Sequence, residues 1–366
     1  VNFYLTEVLF TYLSRPLAIL AMVLLIAYIS LFYALFALAV NLTVKLKRPW
    51  LTALAVPTIW LIAEFIRSIG FLGYNVGYIG YTQWDYSVML NLAATYGYWG
   101  LPFVIVLFQI LALMCFTKEL KGKYLTFVLA VFLLVCAGGL IIPELSAIEE
   151  DLEPLQVTMI QGNTSPEQIM VDRGALINKY LKLTEAAVRT NTDLVIWPET
   201  IVNLRGGENK LHPEELIQTA GELQVEMVYG AQFRDEELLY NTIAHYNPAG
   251  QDSPLYHKIR LVPFVEYFPA EKLLNRILSL DLLLGSYTAG EEIIIFEIKG
   301  KTVGGVICFE SYFGDLMRLF AIGGADHFFV LTNDAWFGQS IGLDQHAQVA
   351  AIRAAELGRG VTQVAN

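Results

Sequence analysis

Four long apolar segments in the first 143 residues constrain this chain more than any other feature of its sequence. They run over residues 16–43, 50–69, 88–117 and 124–143, and each has the ~20 residues that a helix needs to cross a bilayer. None resembles a cleavable signal peptide, which is shorter and N-terminal. Buried helices of a water-soluble fold are the alternative, but four such segments in a row are rare there. The sequence therefore predicts a transmembrane helical bundle over residues 1–143.

Charge divides the chain at the same place. Residues 1–143 hold eight of the 24 Lys and Arg residues and four of the 35 Asp and Glu residues. Residues 144–366 therefore hold 16 basic and 31 acidic residues, a formal charge of −15. We expect this second part to form one soluble domain, because about 220 residues suffice for a core. Its acidity argues against nucleic acid as a partner.

Basic residues in two loops predict the orientation of the bundle. They lie between the first and second segments (Lys45, Lys47 and Arg48) and between the third and fourth (Lys118, Lys121 and Lys123). Because positive loops stay in the cytoplasm, the aromatic loop at 70–87 and the acidic domain are predicted to lie outside it. Glu64 and Arg67, at i,i+3 spacing near the outer end of the second segment, are expected to pair with each other.

Short β-branched runs alternate with amphipathic stretches in the acidic domain, which predicts a layered α/β fold. The predicted strands are 155–161, 193–197, 227–232, 241–246, a hairpin over 291–310 that turns at 299–301, 327–331, and a last one starting at 361. The predicted helices are one that begins at the N-cap Ser165, followed by 212–224, 315–322 and 345–357.

Three polar stretches follow apolar strands directly. They are "VIWPET" with Glu199, "LYHKIRLVPFVEYFP" with Lys258 and Glu266, and "VICFES" with Cys308 and Glu310. In open α/β sheets, functional groups gather beyond the carboxyl ends of the strands. These side chains are therefore expected to converge although they are far apart along the chain.

Glu199, Lys258 and Cys308 together are suited to acyl transfer through a thioester. A thiol of pKa about 8.5 is only a few per cent thiolate at neutral pH, so a nearby carboxylate is needed to take its proton. A lysine, with the backbone N–H of Phe309, can stabilise the oxyanion of a tetrahedral intermediate. Cys308 is alone in its domain, so it has no cysteine there with which to form a disulfide.

Each of these residues also has a plainer interpretation. Glu199 alone fits a helix cap, Lys258 alone a solvated surface lysine, and Cys308 alone a small buried hydrophobe. A Cys308–His327 dyad of protease type has no supporting signature. The five histidines are scattered, without the spacing of metal ligands.

The motifs taken together resemble the carbon–nitrogen hydrolase (nitrilase) superfamily. The resemblance lies in "WPET", "YHKIRLVPFVEYFP", "GGVICFES" and "LTNDAWFGQSIGLDQHAQVAAIRAAELGRG". The apolar half and its "GYTQWD" loop are similar to one branch, the apolipoprotein N-acyltransferases. The resemblance implies an α–β–β–α sandwich on a transmembrane bundle. It also implies an enzyme that moves an acyl chain from a phospholipid to its cysteine, and then to the N-terminal amine of S-diacylglyceryl-cysteine in a lipoprotein.

The resemblance assigns roles to individual residues. Glu199 matches the general base, Lys258 the oxyanion stabiliser and Cys308 the nucleophile. Further residues of the matched motifs are expected to support the site or contact substrate: Glu266, Glu310, Trp336, Phe309, Trp197 and Asn333. Two positions depart from the family pattern, with Val265 in place of Gly and Phe309 in place of Tyr, and both bear on substrate fit.

The resemblance also implies the setting of the reaction. It places a monomer in the bacterial inner membrane, with residues 144–366 in the periplasm and without cofactor or metal. Members have about eight spans, so spans are expected before Val1 and after Asn366. The alternatives are a membrane-tethered amidase, which would need one span, and a non-catalytic lipid-binding scaffold, which would not need the three catalytic residue types.

Overall fold

The computed structural model describes residues 15–70, 72–146, 154–165, 168, 173–207, 211–249, 253–263, 265–267 and 287–366. Chain contacts divide it into two compact units. One comprises Val1–Glu150 with Gln339–Gly358, and the other Asp151–Gly338 with Arg359–Asn366. The predicted N-cap Ser165 makes a reciprocal capping box with Gln168, at 3.2 and 3.3 Å. Most of the helical turn that it begins lies outside the described residues.

The first unit contains the apolar helices. Their bounds are α1 Arg15–Lys45, α2 Pro49–Ser68, α3 Ser87–Tyr96, α4 Gly100–Phe116 and α5 Gly122–Ser146. Within the described ranges, three helices are long and apolar enough to cross a membrane, over Ala18–Lys45, Pro49–Ser68 and Gly122–Ile141. The first, second and fourth predicted segments are thereby confirmed as long apolar helices.

The third predicted segment, 88–117, is wrong as one continuous span. The chain forms two helices there, α3 and α4, which are separated at Gly97. Gly97 has a φ of 70°, in the left-handed region that a helix cannot continue through. The second piece is a shorter apolar helix of 17 residues. Apolar residues lie on both sides of the break, which is why the sequence favoured one continuous span.

Aromatic partners replace the expected pairing of Glu64 with Arg67. The Glu64 carboxylate accepts a hydrogen bond from the Tyr98 hydroxyl at 3.3 Å. The Arg67 guanidinium lies 4.4 Å from the centroid of the Tyr78 ring, a cation–π distance, and donates to the Tyr33 hydroxyl at 3.4 Å. Both side chains are buried, and these partners compensate only in part for the loss of water, because Nε and Nη2 of Arg67 have no hydrogen-bond partner among the described residues.

The first unit also contains the late helix α9, Gly342–Leu357. Arg353 on α9 is buried and donates to the Tyr81 hydroxyl at 2.9 Å. It also pairs with Glu356, whose other oxygen accepts the N–H of Tyr98 at 2.9 Å. The helix ends at Gly358 in the left-handed conformation, as the sequence predicted.

Two mixed sheets form the second unit. The first sheet has the order β1 (Val157–Met159), β2 (Leu194–Arg205), β3 (Glu226–Asp235), β4 (Leu238–Tyr246) and β5 (Tyr256–His257). The second has the order β6 (Ile295–Ile298), β7 (Lys301–Ile307), β8 (His327–Thr332) and β9 (Gly360–Ala365). Strands β1 to β3 and β7 to β9 are parallel, and the remaining neighbours are antiparallel. All the predicted strands form, although β1 is shorter and β2 longer than expected.

The two sheets pack face to face, and helices cover their outer faces. Phe296 of β6 meets His245 of β4 edge to face, with ring centroids 6.2 Å apart. Helices α6 (Arg173–Ala187) and α7 (Glu214–Leu223) share a buried apolar core with β2 and β3. Helix α8 (Gly314–Ile322) places Phe320 against Phe328 of the second sheet. The predicted α–β–β–α sandwich is confirmed.

Candidate active site

Glu199 lies in a bulge of β2. The strand pairs in register with β3 as far as Trp197 and again from Val202, so four residues of β2 stand opposite one residue of β3, Gly230. Thr200, within the bulge, has a φ of 58°, a left-handed conformation that is unusual for a β-branched residue. The bulge therefore interrupts the regular alternation of side chains along β2 at Glu199. Bulges are common beside active sites, where they change the direction of a side chain.

Three groups from other strands and loops surround the Glu199 carboxylate. Its Oε2 accepts the backbone N–H of Asn333 at 2.9 Å, and its Oε1 accepts the side-chain amide of Asn241 at 2.7 Å. The Nζ atom of Lys258 lies 3.8 Å from Oε1. Burial raises the pKa of Glu199, and the charge of Lys258 opposes that shift. A carboxylate with a raised pKa is a better proton acceptor at neutral pH than an exposed one.

Lys258 is held as a buried cation. Its side chain is 1% exposed, and its Nζ donates to Oε1 of Glu266 at 2.9 Å. Burial works against its charge, but the carboxylates of Glu266 and Glu199 outweigh burial and raise the pKa of Lys258. An ammonium has three donors, and Glu266 takes one of them. The structure thus contradicts the plainer interpretation of Lys258 as a solvated surface lysine.

Cys308 directly follows β7 and begins a 3-10 helix that ends at Tyr312. Its φ is 51°, so a residue other than glycine occupies the left-handed region at a turn, a form of strain that is common at functional sites. Burial raises the pKa of the Cys308 thiol well above its usual range. The charge of Glu199 adds to the shift, and the charge of Lys258 opposes it. At neutral pH the residue is therefore a thiol, which needs a base to become a nucleophile.

Glu310 organises the backbone on both sides of the site. It is fully buried, and its carboxylate accepts backbone N–H groups from Ile259 and Arg260 at 2.8 and 3.0 Å. It also accepts the N–H of Ile307 at 2.8 Å and the hydroxyl of Tyr256 at 2.8 and 2.9 Å. One carboxylate thus ties the chain after Lys258 to the strand before Cys308. Burial raises the pKa of Glu310, and Lys258 again opposes the shift.

The remaining predicted residues lie in different surroundings. Trp197 is fully buried in the apolar core behind the first sheet, where its indole N–H donates to Thr184 at 2.9 Å. Phe309 is half-buried and packs on Phe313, with ring centroids 5.2 Å apart. Trp336 is half-buried in the short 3-10 helix after Asn333. The structure therefore brings Glu199, Lys258, Glu266 and Asn333 together directly, while Trp197 faces the core.

Sequence reasoning missed two buried asparagines in the site. The Nδ2 group of Asn241 donates to Glu266 at 3.1 Å as well as to Glu199. Asn366 donates from its Nδ2 to Oδ1 of Asn333 at 3.1 Å. The sequence offered little signal at Asn241, because the run "NTIAHY" that it begins contains further polar residues, Thr242 and His245.

The arrangement supports general base catalysis beside a fixed positive charge. A carboxylate with a raised pKa can remove a thiol proton, and a buried ammonium can stabilise negative charge that develops nearby. Within the part of the chain that the structure describes, no cluster of three or more His, Cys, Asp or Glu residues could hold a metal ion.

Two family models match the chain. The carbon-nitrogen hydrolase model matches residues 156–366, and the model of the apolipoprotein N-acyltransferase N-terminal domain matches residues 1–111. The first match covers more than half of the chain and contains Glu199, Lys258 and Cys308.

Curated relatives extend these matches. The apolipoprotein N-acyltransferase of Haemophilus influenzae is 32% identical over 94% of this chain and 67% of its own length. Apolipoprotein N-acyltransferase 1 of Treponema denticola is 29% identical over 81% of this chain, which spans 62% of that relative. The solved Nit3 of Saccharomyces cerevisiae, from branch 10 of the nitrilase superfamily, is 18% identical, with a TM-score of 0.44 over 58% of this chain and 75% of Nit3. The two family models and the Haemophilus relative show that the chain belongs to the apolipoprotein N-acyltransferases, acyltransferases of the carbon–nitrogen hydrolase superfamily.

Proposed function

We propose that the chain transfers an acyl group from a phospholipid, through a thioester on Cys308, to the N-terminal amine of a diacylglyceryl-modified lipoprotein. The observation that carries this proposal is a thiol with a raised pKa on a strained turn, together with a buried carboxylate and ammonium 3.8 Å apart. The apolar helices of the same chain support a lipid donor, because three of the described helices are long and apolar enough to cross a bilayer, which is made of phospholipid.

The first half-reaction forms the thioester. Glu199 takes the Cys308 proton as the sulfur attacks the ester carbonyl of the phospholipid. The carbonyl oxygen becomes an oxyanion, which Lys258 and the backbone N–H of Phe309 stabilise. When the intermediate collapses, the carbon–oxygen bond breaks, and the departing alkoxide takes the proton back from Glu199. The products are a lysophospholipid and an acylated Cys308.

The second half-reaction returns the enzyme to its starting state. The acceptor amine attacks the thioester carbonyl while Glu199 removes a proton from the nitrogen. The carbon–sulfur bond breaks, and the sulfur recovers its proton as the amide leaves. Water in place of the amine would hydrolyse the thioester and release a fatty acid, so the choice of acceptor decides the overall reaction.

Transfer to a defined acceptor tests this function. Purified protein is mixed with phosphatidylethanolamine vesicles and a synthetic diacylated lipopeptide, and the lipopeptide mass is followed. We expect it to gain one acyl chain, and we expect Cys308→Ala to lose this activity while melting at the wild-type temperature. Release of free fatty acid without lipopeptide acylation would support a hydrolase, in which water is the acceptor. No turnover of either kind, in folded protein, would contradict the enzyme assignment.

We further propose that the second unit faces the periplasm and that the protein acts as a monomer. The basic loops at Lys45–Arg48 and Lys118–Lys123 support the orientation. In a variant without the native cysteines, a membrane-impermeant maleimide is expected to label Gln218→Cys in intact spheroplasts and to spare Lys121→Cys. Both positions are exposed, so the contrast reports sidedness. The opposite labelling pattern would overturn the orientation. A dimer mass in native mass spectrometry would contradict the monomer.

A further inference from the structure

The backbone of the bulge that carries Glu199 packs directly against the backbone of β3 at Gly230. A methyl group added at Gly230 would lie 2.4 Å from Cα of Glu199, 2.5 Å from the carbonyl oxygen of Pro198 and 2.8 Å from the nitrogen of Thr200. All three atoms belong to the backbone, so no side-chain rotation relieves the overlap. Gly230 is thus the residue whose small size permits this bulge.

A guanidinium also holds the bulge. Arg173, the first described residue of helix α6, donates to the carbonyl oxygen of Thr200 and to Oε1 of Gln232 on β3 at 3.3 Å. The bulge is therefore fixed by close backbone contact at Gly230 and by the Arg173 guanidinium. From this position Glu199 reaches the N–H of Asn333, at the end of β8 in the other sheet.

We infer that Gly230 is a positioning residue for the base, because it sets the place of the Glu199 carboxylate relative to Cys308. The inference rests on the role proposed above for Glu199. Restoring an ordinary 3.4 Å contact to an alanine methyl requires the two backbones to separate by about 1 Å, and displacement of a catalytic group by ~1 Å can cost about 10²-fold in rate.

Alkylation of Cys308 by iodoacetamide tests this inference without requiring any acyl transfer. The protein carries Cys115→Ser and Cys136→Ser, and the rate is measured from about pH 6 to pH 9, a range that brackets the usual pKa of a thiol. In Gly230→Ala we expect the rate at pH 7 to fall by about 10²-fold, and then to rise by about tenfold per pH unit, because unaided alkylation follows the thiolate fraction below the thiol pKa. The Glu199→Gln protein should give the same pH profile.

Two controls separate positioning from loss of stability. Leu216→Ala removes a fully buried side chain from the core on the same sheet, so it lowers the melting temperature but should leave the pH profile unchanged. Gly221→Ala adds a methyl group inside helix α7 where no atom lies within 4 Å, so it should raise the melting temperature slightly and leave the pH profile unchanged. A folded Gly230→Ala protein with the wild-type pH profile would overturn the inference, whatever its melting temperature.

A second variant keeps the test decisive if Gly230→Ala does not fold. Arg173→Met removes the donor to the Thr200 carbonyl without adding bulk at β3. It should shift the alkylation profile in the same direction, by a smaller factor. If folded Arg173→Met keeps the wild-type pH profile, the position of the Glu199 carboxylate does not depend on the fixed bulge, and the inference is contradicted. If the wild-type protein alkylates with base assistance but forms no acyl adduct, the proposed function fails and the inference about Gly230 stands.

Discussion

Replacing Glu199 by glutamine is expected to slow acylation of Cys308 by about 10²–10⁴-fold at pH 7, the usual contribution of a positioned general base. Glutamine keeps the shape of the side chain and can accept the N–H of Asn333, but it cannot take the thiol proton. Burial is the largest cause of the raised pKa of Cys308 and remains when the Glu199 charge is removed, so little thiolate is present to react unaided. The rate in Glu199→Gln should therefore rise steadily with pH, by about tenfold per unit below the thiol pKa.

The wild-type rate should instead be limited at low pH, where the proposed base is itself protonated. Burial raises the pKa of Glu199, so the carboxyl group is protonated, and unable to act as a base, up to a higher pH than an exposed glutamate. Activity should be full above that raised pKa and fall as the pH drops through it. Rates of adduct formation by mass spectrometry check both profiles.

Glu226→Gln is the matched control for Glu199→Gln. Glu226 is a buried glutamate at the start of β3 and binds Nε2 of His245 at 2.8 Å, so the same substitution there removes a buried carboxylate outside the site. It should leave the pH profile unchanged. If Glu199→Gln and Glu226→Gln give the same profile, Glu199 is not the base.

Lys258→Met is expected to lower the acylation rate by about 10²–10³-fold even at its optimal pH, because it removes the proposed oxyanion donor, which thiol ionisation does not replace. It also removes the charge that opposes the raised pKa of Glu199, so the acid limb should move to higher pH. Some rate will recover as the pH rises, but the plateau should stay below that of the wild type. Adduct formation from about pH 7 to pH 9, on either side of the usual thiol pKa, measures both effects.

Lys182→Met is the control for Lys258→Met. Lys182 is exposed on helix α6, so the substitution removes a lysine charge at the surface of the same unit. Its loss should leave the acid limb of the pH profile and the plateau rate unchanged. Full recovery of Lys258→Met at high pH would contradict a role for Lys258 as an oxyanion donor.

Much of the fold was predictable because it depends on periodicity. The alternation of β-branched runs with amphipathic helices predicted the strands of both sheets, and the Lys299–Lys301 turn predicted the β6–β7 hairpin. The break at Gly97 was not predicted, because apolar residues lie on both sides of it and hydropathy does not register a left-handed φ. The division into two sheets is a tertiary property that no single strand encodes.

The site was predictable where its residues carry charge or a thiol. Glu199, Lys258, Glu266 and Cys308 are unusual after apolar strands, so chemistry pointed to them. Gly230 could not be found in this way, because its importance comes from the missing side chain and from a bulge in the neighbouring strand. Trp197, which adjoins the "PET" of its motif, faces the core because strand residues alternate between faces.

The central claim is that Cys308 becomes covalently acylated, and the mass of the Cys308 peptide tests it most directly. Wild-type protein is incubated with phosphatidylethanolamine vesicles in the absence of an acceptor, digested, and analysed by mass spectrometry. We expect one acyl chain on Cys308. Hydroxylamine should remove it, as it removes thioesters, and addition of the diacylated lipopeptide should displace it. Lipopeptide acylation by wild-type protein with an unmodified Cys308, or equal turnover in Cys308→Ala, would contradict it.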